Sequence, residues 1–169
     1  MASILNVDQI NNAAGTSAIT IDANGNTLMP GHVVQVVNTT WSTQVSTTNS
    51  SYVDTGFDAS ITPTSASSKI LILGCFSIYL AGGVTNNLGK VAIYRDDTTN
   101  IADALIRQYD YGGSGVLVNR PISLNCYDSP ATTSAVKYTL YFRLTSGASI
   151  LLNDNNESLS TFTLMEIAQ

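Results

Sequence analysis

Charge is scarce in this chain. Asp, Glu, Lys and Arg make up 11% of its 169 residues, under half of the roughly 25% found in typical soluble domains. The seven Lys and Arg are scattered singly, so no basic stripe follows a phosphate backbone and nucleic acid is a poor partner. Histidine occurs once, as His32, and tryptophan once, as Trp41. A lone His at the start of a strand reads as a structural polar residue, and it leaves His-dependent nucleophiles without support. No C-x-x-C pair, second His or D-x-D-x-D-G loop offers clustered metal ligands. Gly112-Gly113-Ser114-Gly115 lacks the Lys and the following helix of a phosphate loop. Asp96 and Asp97 are neighbours in a turn, most simply solvated rather than opposed as glycosidase carboxylates. These shortages argue for a protein without enzymatic activity, cofactor or metal.

The remaining scarcities concern compartment. Only Cys75 and Cys126 are present, and in strand-like sequence they read as two buried free thiols. No window reaches the roughly 18 apolar residues of a membrane span, so no membrane insertion is expected. Met1-Ala2-Ser3-Ile4-Leu5 has neither a cationic segment nor a long apolar one, which fits synthesis and assembly in a cytoplasm. Asn38-Thr39-Thr40, Asn49-Ser50-Ser51 and Asn156-Glu157-Ser158 match the glycosylation pattern, but without a secretory route they are polar loops.

What is abundant is Ser, Thr, Asn and short apolar runs. A neutral, hydroxyl-rich surface is weakly protected against association, so an oligomer is expected. The organising stretch is Lys69–Leu80, KILILGCFSIYL. Its β-branched residues, its mid-run Gly74 and the turn residues on both sides favour a strand over a buried helix. Ile70, Ile72, Phe76, Ile78 and Leu80 share one face; Leu71, Leu73, Cys75 and Tyr79 share the other. Both faces are apolar, so a central strand covered on both sides is expected, with a second subunit over the outer one.

Residues 1–30 read as a β arm. Ile4, Leu5, Val7 and Ile10 alternate weakly, Ile19 and Ile21 mark a second short strand, and Pro30-Gly31 ends the segment. Strands this small cannot bury enough to stand alone, so the arm is expected to dock on another protein or interlace a trimer. Residues 31–169 then offer about eight short strands separated by Ser/Thr/Gly turns. That pattern predicts an all-β antiparallel β-sandwich, jelly-roll-like at this strand number. Pro121 marks an edge or bulge, and 101–108 fits either the one helix or an irregular strand. Val136, Tyr138, Leu140, Phe142 and Leu144 alternate inward. Trp41, Tyr109, Asp110 and Tyr111 lie in polar or Gly-rich surroundings outside the strong strand patterns and read as loop residues. They are candidate contacts for a glycan or host surface, with packing at a subunit interface as the alternative.

Several stretches resemble virion proteins of tailed bacteriophages. The opening ILNVDQINNAAGTSAITIDANGNTLMPG is similar to the N-terminal segment of tail-fibre-like structural proteins. STTNSSYVDTGFDASITPTSASSKILILGCFSIYL, YDSPATTSAVKYTLYFRLTSGASILLN and STFTLMEIAQ resemble a β-sandwich domain common among them. The region from Asn86 to Ser114 departs most from that pattern. The resemblance implies a homotrimer located in the virion and bound to other virion proteins, tail or major capsid protein. A tail-fibre or fibre-tip role in host attachment is the expected function. A capsid decoration protein and a carbohydrate-binding module are the alternatives.

Overall fold

A computed structural model describes residues 7–21, 23, 25, 27–82, 85–109 and 119–169. Its strands are β1 (Gln9–Asn11), β2 (Ser17–Ile21), β3 (Thr27–Leu28), β4 (Val33–Trp41), β5 (Val45–Thr47), β6 (Val53–Ile61) and β7 (Lys69–Ala81). They continue as β8 (Asn86–Arg95), β9 (Thr99–Tyr109), β10 (Arg120–Asp128), β11 (Val136–Ser146), β12 (Ser149–Leu152) and β13 (Ser160–Ile167). Every pairing is antiparallel.

β7 is the hub. β10 runs along one of its edges from Ile70 to Ile78. The other edge is shared, with β13 against Lys69–Cys75 and β12 against Ile78–Ala81. β4 then pairs with β13 and β5 with β12, giving a six-stranded sheet; the opposing sheet has the order β6-β11-β8-β9. Setting aside the short β5 and β12, the eight long strands after the arm fall into sheets ordered first-eighth-third-sixth and second-seventh-fourth-fifth. This is the wiring of a jelly roll, in which two Greek keys close one sandwich.

Alternation explains the core. Ile70, Ile72, Phe76, Ile78 and Leu80 of β7 are buried, as are Val136, Tyr138, Leu140, Phe142 and Leu144 of β11. Phe57, Phe76 and Phe162 meet between the sheets with ring centroids 5.0–6.2 Å apart, in tilted and edge-on pairs that add attraction beyond area burial. Gly74 sits beneath this cluster because a Cβ there would fall inside the Phe76 ring.

Buried polar groups tie the two sheets together. Arg95 of β8 donates to both oxygens of Asp128 of β10 at 2.8 Å, and the Tyr138 hydroxyl of β11 donates to the same carboxylate at 2.7 Å. Burial, helped by that hydrogen bond to a carboxylate, pushes the Tyr138 phenol well up. Glu166 of β13 is wholly buried and accepts hydrogen bonds from Gln35 Nε2, from the Thr64 N–H and hydroxyl, and from the Ser65 N–H. Burial alone would raise its pKa, but hydrogen bonds from Gln35, Ser68 and Thr64 outweigh that and hold it below the ordinary glutamate range. The 62–68 turn is thereby fastened to the last strand.

One open choice is decided and two expectations need correction. Residues 101–108, which fit either a helix or an irregular strand, are strand. Ala102, Ala104, Ile106 and Gln108 are buried or half-buried and alternate with exposed Asp103, Leu105 and Arg107. Full-length pairing with β8 overrides the helix propensity of Ala, Leu and Arg. Asp96 and Asp97 turn that hairpin with φ of 48° and 58°, closed by Thr98 N–H to Arg95 O at 3.1 Å. Two successive left-handed residues give the turn a twist that matches the flanking strands, with Thr98 as the third residue between the register partners Arg95 and Thr99. Trp41 is the last residue of β4 rather than part of a loop. Cys75 is exposed, because it points to the outer face of β7; Cys126 is half-buried, and both are free. Burial, with the Asp128 carboxylate adding to it, pushes the Cys126 thiol up to about 11.

β1, β2 and β3 form a small sheet of their own. It joins the sandwich where the Gly31 N–H donates to Ala168 O and the Ala168 N–H donates to His32 O. A crevice of about 300 Å³ separates the two, lined on the arm by Ser17 and Thr20 and on the sandwich by Val34, Thr64 and Ser68. His32 is structural here: its Nδ1 accepts the Met29 N–H at 3.0 Å.

Candidate interaction surfaces

The sequence-chosen contacts do not converge. Trp41 lies against Phe57, ring centroids 5.8 Å apart, and its indole N–H donates to Thr43 O at 2.9 Å. Its carbonyl accepts from the buried Asn153 amide, whose Oδ1 in turn accepts from the Ser160 hydroxyl. Tyr109 ends β9, 57% exposed, with Arg107 Nη1 donating to its hydroxyl at 2.8 Å. Asp110 and Tyr111 fall outside the described residues, as do Ile4 and Leu5. In the arm, Ile10 is exposed and stands opposite Ile19, while Val7, Ile19 and Ile21 are half-buried.

Two other surfaces are organised. The first is the outer face of the six-stranded sheet. The registers of β4, β13, β7 and β10 align three cross-strand rows: Val36–Met165–Leu71–Tyr127, Asn38–Thr163–Leu73–Asn125 and Thr40–Thr161–Cys75–Ser123. None of these twelve residues is charged. Val36 is 55% exposed and Tyr127 62%, so the first row is an apolar band open to solvent. One row further lie Val33, Ile167 and Lys69, the last bringing the first charge.

The second is the outer face of the four-stranded sheet. Its rows are Asp58–Thr139–Tyr94–Asn100, Asp54–Tyr141–Ala92–Asp103 and Arg143–Lys90–Leu105. Ala92 points outward yet is fully buried, because larger side chains lie across it. Tyr94 and Tyr141 stand 4.4 Å apart between centroids, and Tyr52 meets Tyr94 edge-on at 5.8 Å. The Arg143 guanidinium lies over the Tyr52 ring at 5.3 Å while its Nη1 donates to Ser50 O at 3.1 Å. Lys90 donates to Asp103 at 2.8 Å, and the Tyr52 hydroxyl donates to the same oxygen at 3.2 Å.

The electrostatics of this tyrosine layer are consistent. The Lys90 hydrogen bond holds the Asp103 carboxyl below its usual range, and Lys137 does the same for Asp97. Burial, followed by nearby carboxylates, raises the phenols of Tyr52 and Tyr141. At neutral pH the layer therefore presents ionised acceptors beside protonated hydroxyls. Sequence reasoning passed over these residues, although one signal was available. If Val136, Tyr138, Leu140 and Phe142 point inward, Lys137, Thr139, Tyr141 and Arg143 must share the outer face.

No protein-family model and no curated protein matches the chain. Among solved structures it is similar to one titled "Structure of infectious bursal disease virus Gt strain". That match has 12% identity and a TM-score of 0.38 and covers 98% of this chain and 52% of the other. A second, "Crystal structure of infectious bursal disease virus VP2 subviral particle", has 14% identity and a TM-score of 0.35 over 90% of this chain and 42% of the other. The chain thus spans about half the length of the chains it matches, at a distance where the fold rests on its own strands and registers.

Proposed function

We propose that this chain is a non-enzymatic structural protein of a virus particle, a homotrimer of bacteriophage tail-fibre or fibre-tip type displayed on the virion. The observation that carries this reading is the uncharged outer face of the six-stranded sheet. In a chain whose charges gather on the other side, that face is suited to copies of itself. Four strands about 4.8 Å apart and three rows about 7 Å apart cover roughly 400 Å². A standard interface takes about 800 Å² from each partner. Val33 and Ile167 lie one row beyond the band and supply further area. The resemblance of the opening segment and of the strand sequences to tailed-phage proteins supports placing the trimer on a particle, attached through the arm.

The experiment has two parts. Light scattering of the purified chain at micromolar concentration is expected to report three copies, and a stable monomer ends the assembly reading. Antibody labelling of intact particles is expected at the tail. Label on the head replaces the fibre role with capsid decoration, and unlabelled particles end the virion reading.

A further inference from the structure

We propose that the tyrosine layer on the outer face of the four-stranded sheet binds a neutral, hydroxyl-rich saccharide. Tyr94 and Tyr141 pack against one another, ring centroids 4.4 Å apart and planes inclined by 41°, beside the buried Ala92 that is the register partner of Tyr141, and both remain half-exposed. An aromatic face takes up the C–H side of a sugar ring with little loss of side-chain freedom. Carboxylates stand at both ends of the central row, Asp54 beside Tyr141 and Asp103 beyond Ala92. The two ends are three strand spacings apart, roughly 14 Å, a span for a short oligosaccharide rather than one ring. Ionised carboxylates are strong acceptors for sugar hydroxyls, and the tyrosine hydroxyls can donate or accept.

Charge decides the class of sugar. Asp54, Asp58, Asp97 and Asp103 face Lys90, Arg107, Lys137 and Arg143 across this sheet, four charges of each sign. Lys90 is tied to Asp103, Lys137 to Asp97, Arg107 to the Tyr109 hydroxyl, and Arg143 to the Ser50 carbonyl. A sialylated or phosphorylated glycan would find no surplus of positive charge and every cation already engaged, so a neutral one is favoured. The inference rests on the proposed assembly in one respect. A trimer closed through its uncharged faces turns this layer outward, where particle-borne copies act together.

The test uses the full-length chain on an array of neutral and sialylated oligosaccharides, followed by calorimetric titration of the best neutral binder. Neutral glycans are expected to be retained in preference to sialylated ones. Tyr141→Ala should weaken binding about tenfold or more, the equivalent of one aromatic contact, while Tyr141→Phe stays within about threefold. Asp54→Asn should weaken it without altering assembly, and it serves with Tyr141→Phe if Tyr141→Ala fails to fold. Retention of no neutral glycan, preference for sialylated ones, or binding indifferent to Tyr141→Ala and Asp54→Asn overturns the proposal. Sedimentation of the same samples keeps the two readings apart. A monomer that binds through Tyr141 refutes only the trimer, and a trimer that binds no glycan refutes only the saccharide site.

Discussion

The outer faces of the two sheets are generated by the same period-two alternation and end with opposite chemistry. On the six-stranded sheet the three aligned outward rows are Val, Leu, Met, Tyr, Cys, Thr, Asn and Ser and hold no charge. On the four-stranded sheet the outward rows set Asp, Lys, Arg and Tyr among Thr, Asn, Ala and Leu, knitted by ion pairs and ring contacts. On that face Lys90 pairs with Asp103 and Lys137 with Asp97, so the layer can stay in water without a cover. The open band of Val36, Leu71, Met165 and Tyr127 has no such pairing, and exposed apolar area of this kind marks an interaction site. The molecule is thus asymmetric between its layers, with one outward face uncharged over three rows and the other charged and aromatic.

The most direct way to break this comparison is to give the uncharged face charge. Val36→Glu with Leu71→Glu places two carboxylates in the apolar row, and the trimer is expected to fall to monomer in sedimentation at micromolar concentration. The matching change on the other side, Tyr94→Glu with Tyr141→Glu, should leave association intact. If the second pair dissociates the protein and the first does not, the roles of the faces are exchanged.

The next largest effect lies inside, where the faces should cease to differ. Phe142→Ala from the four-stranded sheet and Phe162→Ala from the six-stranded one, both fully buried, should each cost about 3–5 kcal/mol in urea unfolding. A loss near zero for either would mean that the register of that strand, and so its outward face, is wrong by one residue.

Asp128→Ala probes what holds the sheets together. Leaving Arg95 without its partner should cost about 3 kcal/mol, at the lower end for a broken buried pair. Tyr138→Phe, which keeps the ion pair, should cost about 1 kcal/mol. Equal losses would assign the coupling to the phenol instead.

The smallest effect is a pH dependence. Because the Glu166 carboxyl is held below its ordinary value, the folded state binds its proton less readily than the unfolded chain. Its contribution is fully present above the ordinary glutamate range and is lost as pH falls through that range towards the folded value. Glu166→Gln should therefore flatten the acid limb of the stability curve. An unchanged acid limb would show that other carboxyls account for it.

Much of the fold was legible because alternation is local. Lys69–Leu80 showed a doubly apolar strand, and β7 is the strand to which β10, β12 and β13 all attach. Val136–Leu144 showed its inward set residue by residue, and Pro121 does lie in the edge strand β10. Residues 101–108 were ambiguous because Ala, Leu and Arg suit a helix and only the partner strand decides. The surfaces were less legible for a different reason. Tyr52, Tyr94, Tyr141 and Asp103 come from four separate segments, and nothing in a single strand says which neighbours it will have. Trp41 looked like a loop aromatic because Thr and Ser surround it, yet those residues form the end of β4 and Trp41 packs on Phe57.

The place of β13 has a consequence for how the protein is made. It lies between β4 and β7, joining residues as far apart as Asn38 and Thr163. While a ribosome is still adding the residues of β13, β4 has no neighbour in its sheet and one edge of β7 is bare at Lys69–Cys75. Pairings this distant in sequence are slow to form, and an unpaired strand edge on a nascent chain invites contact with other chains. The time between synthesis of β4 and of β13 is the interval in which premature association competes with folding.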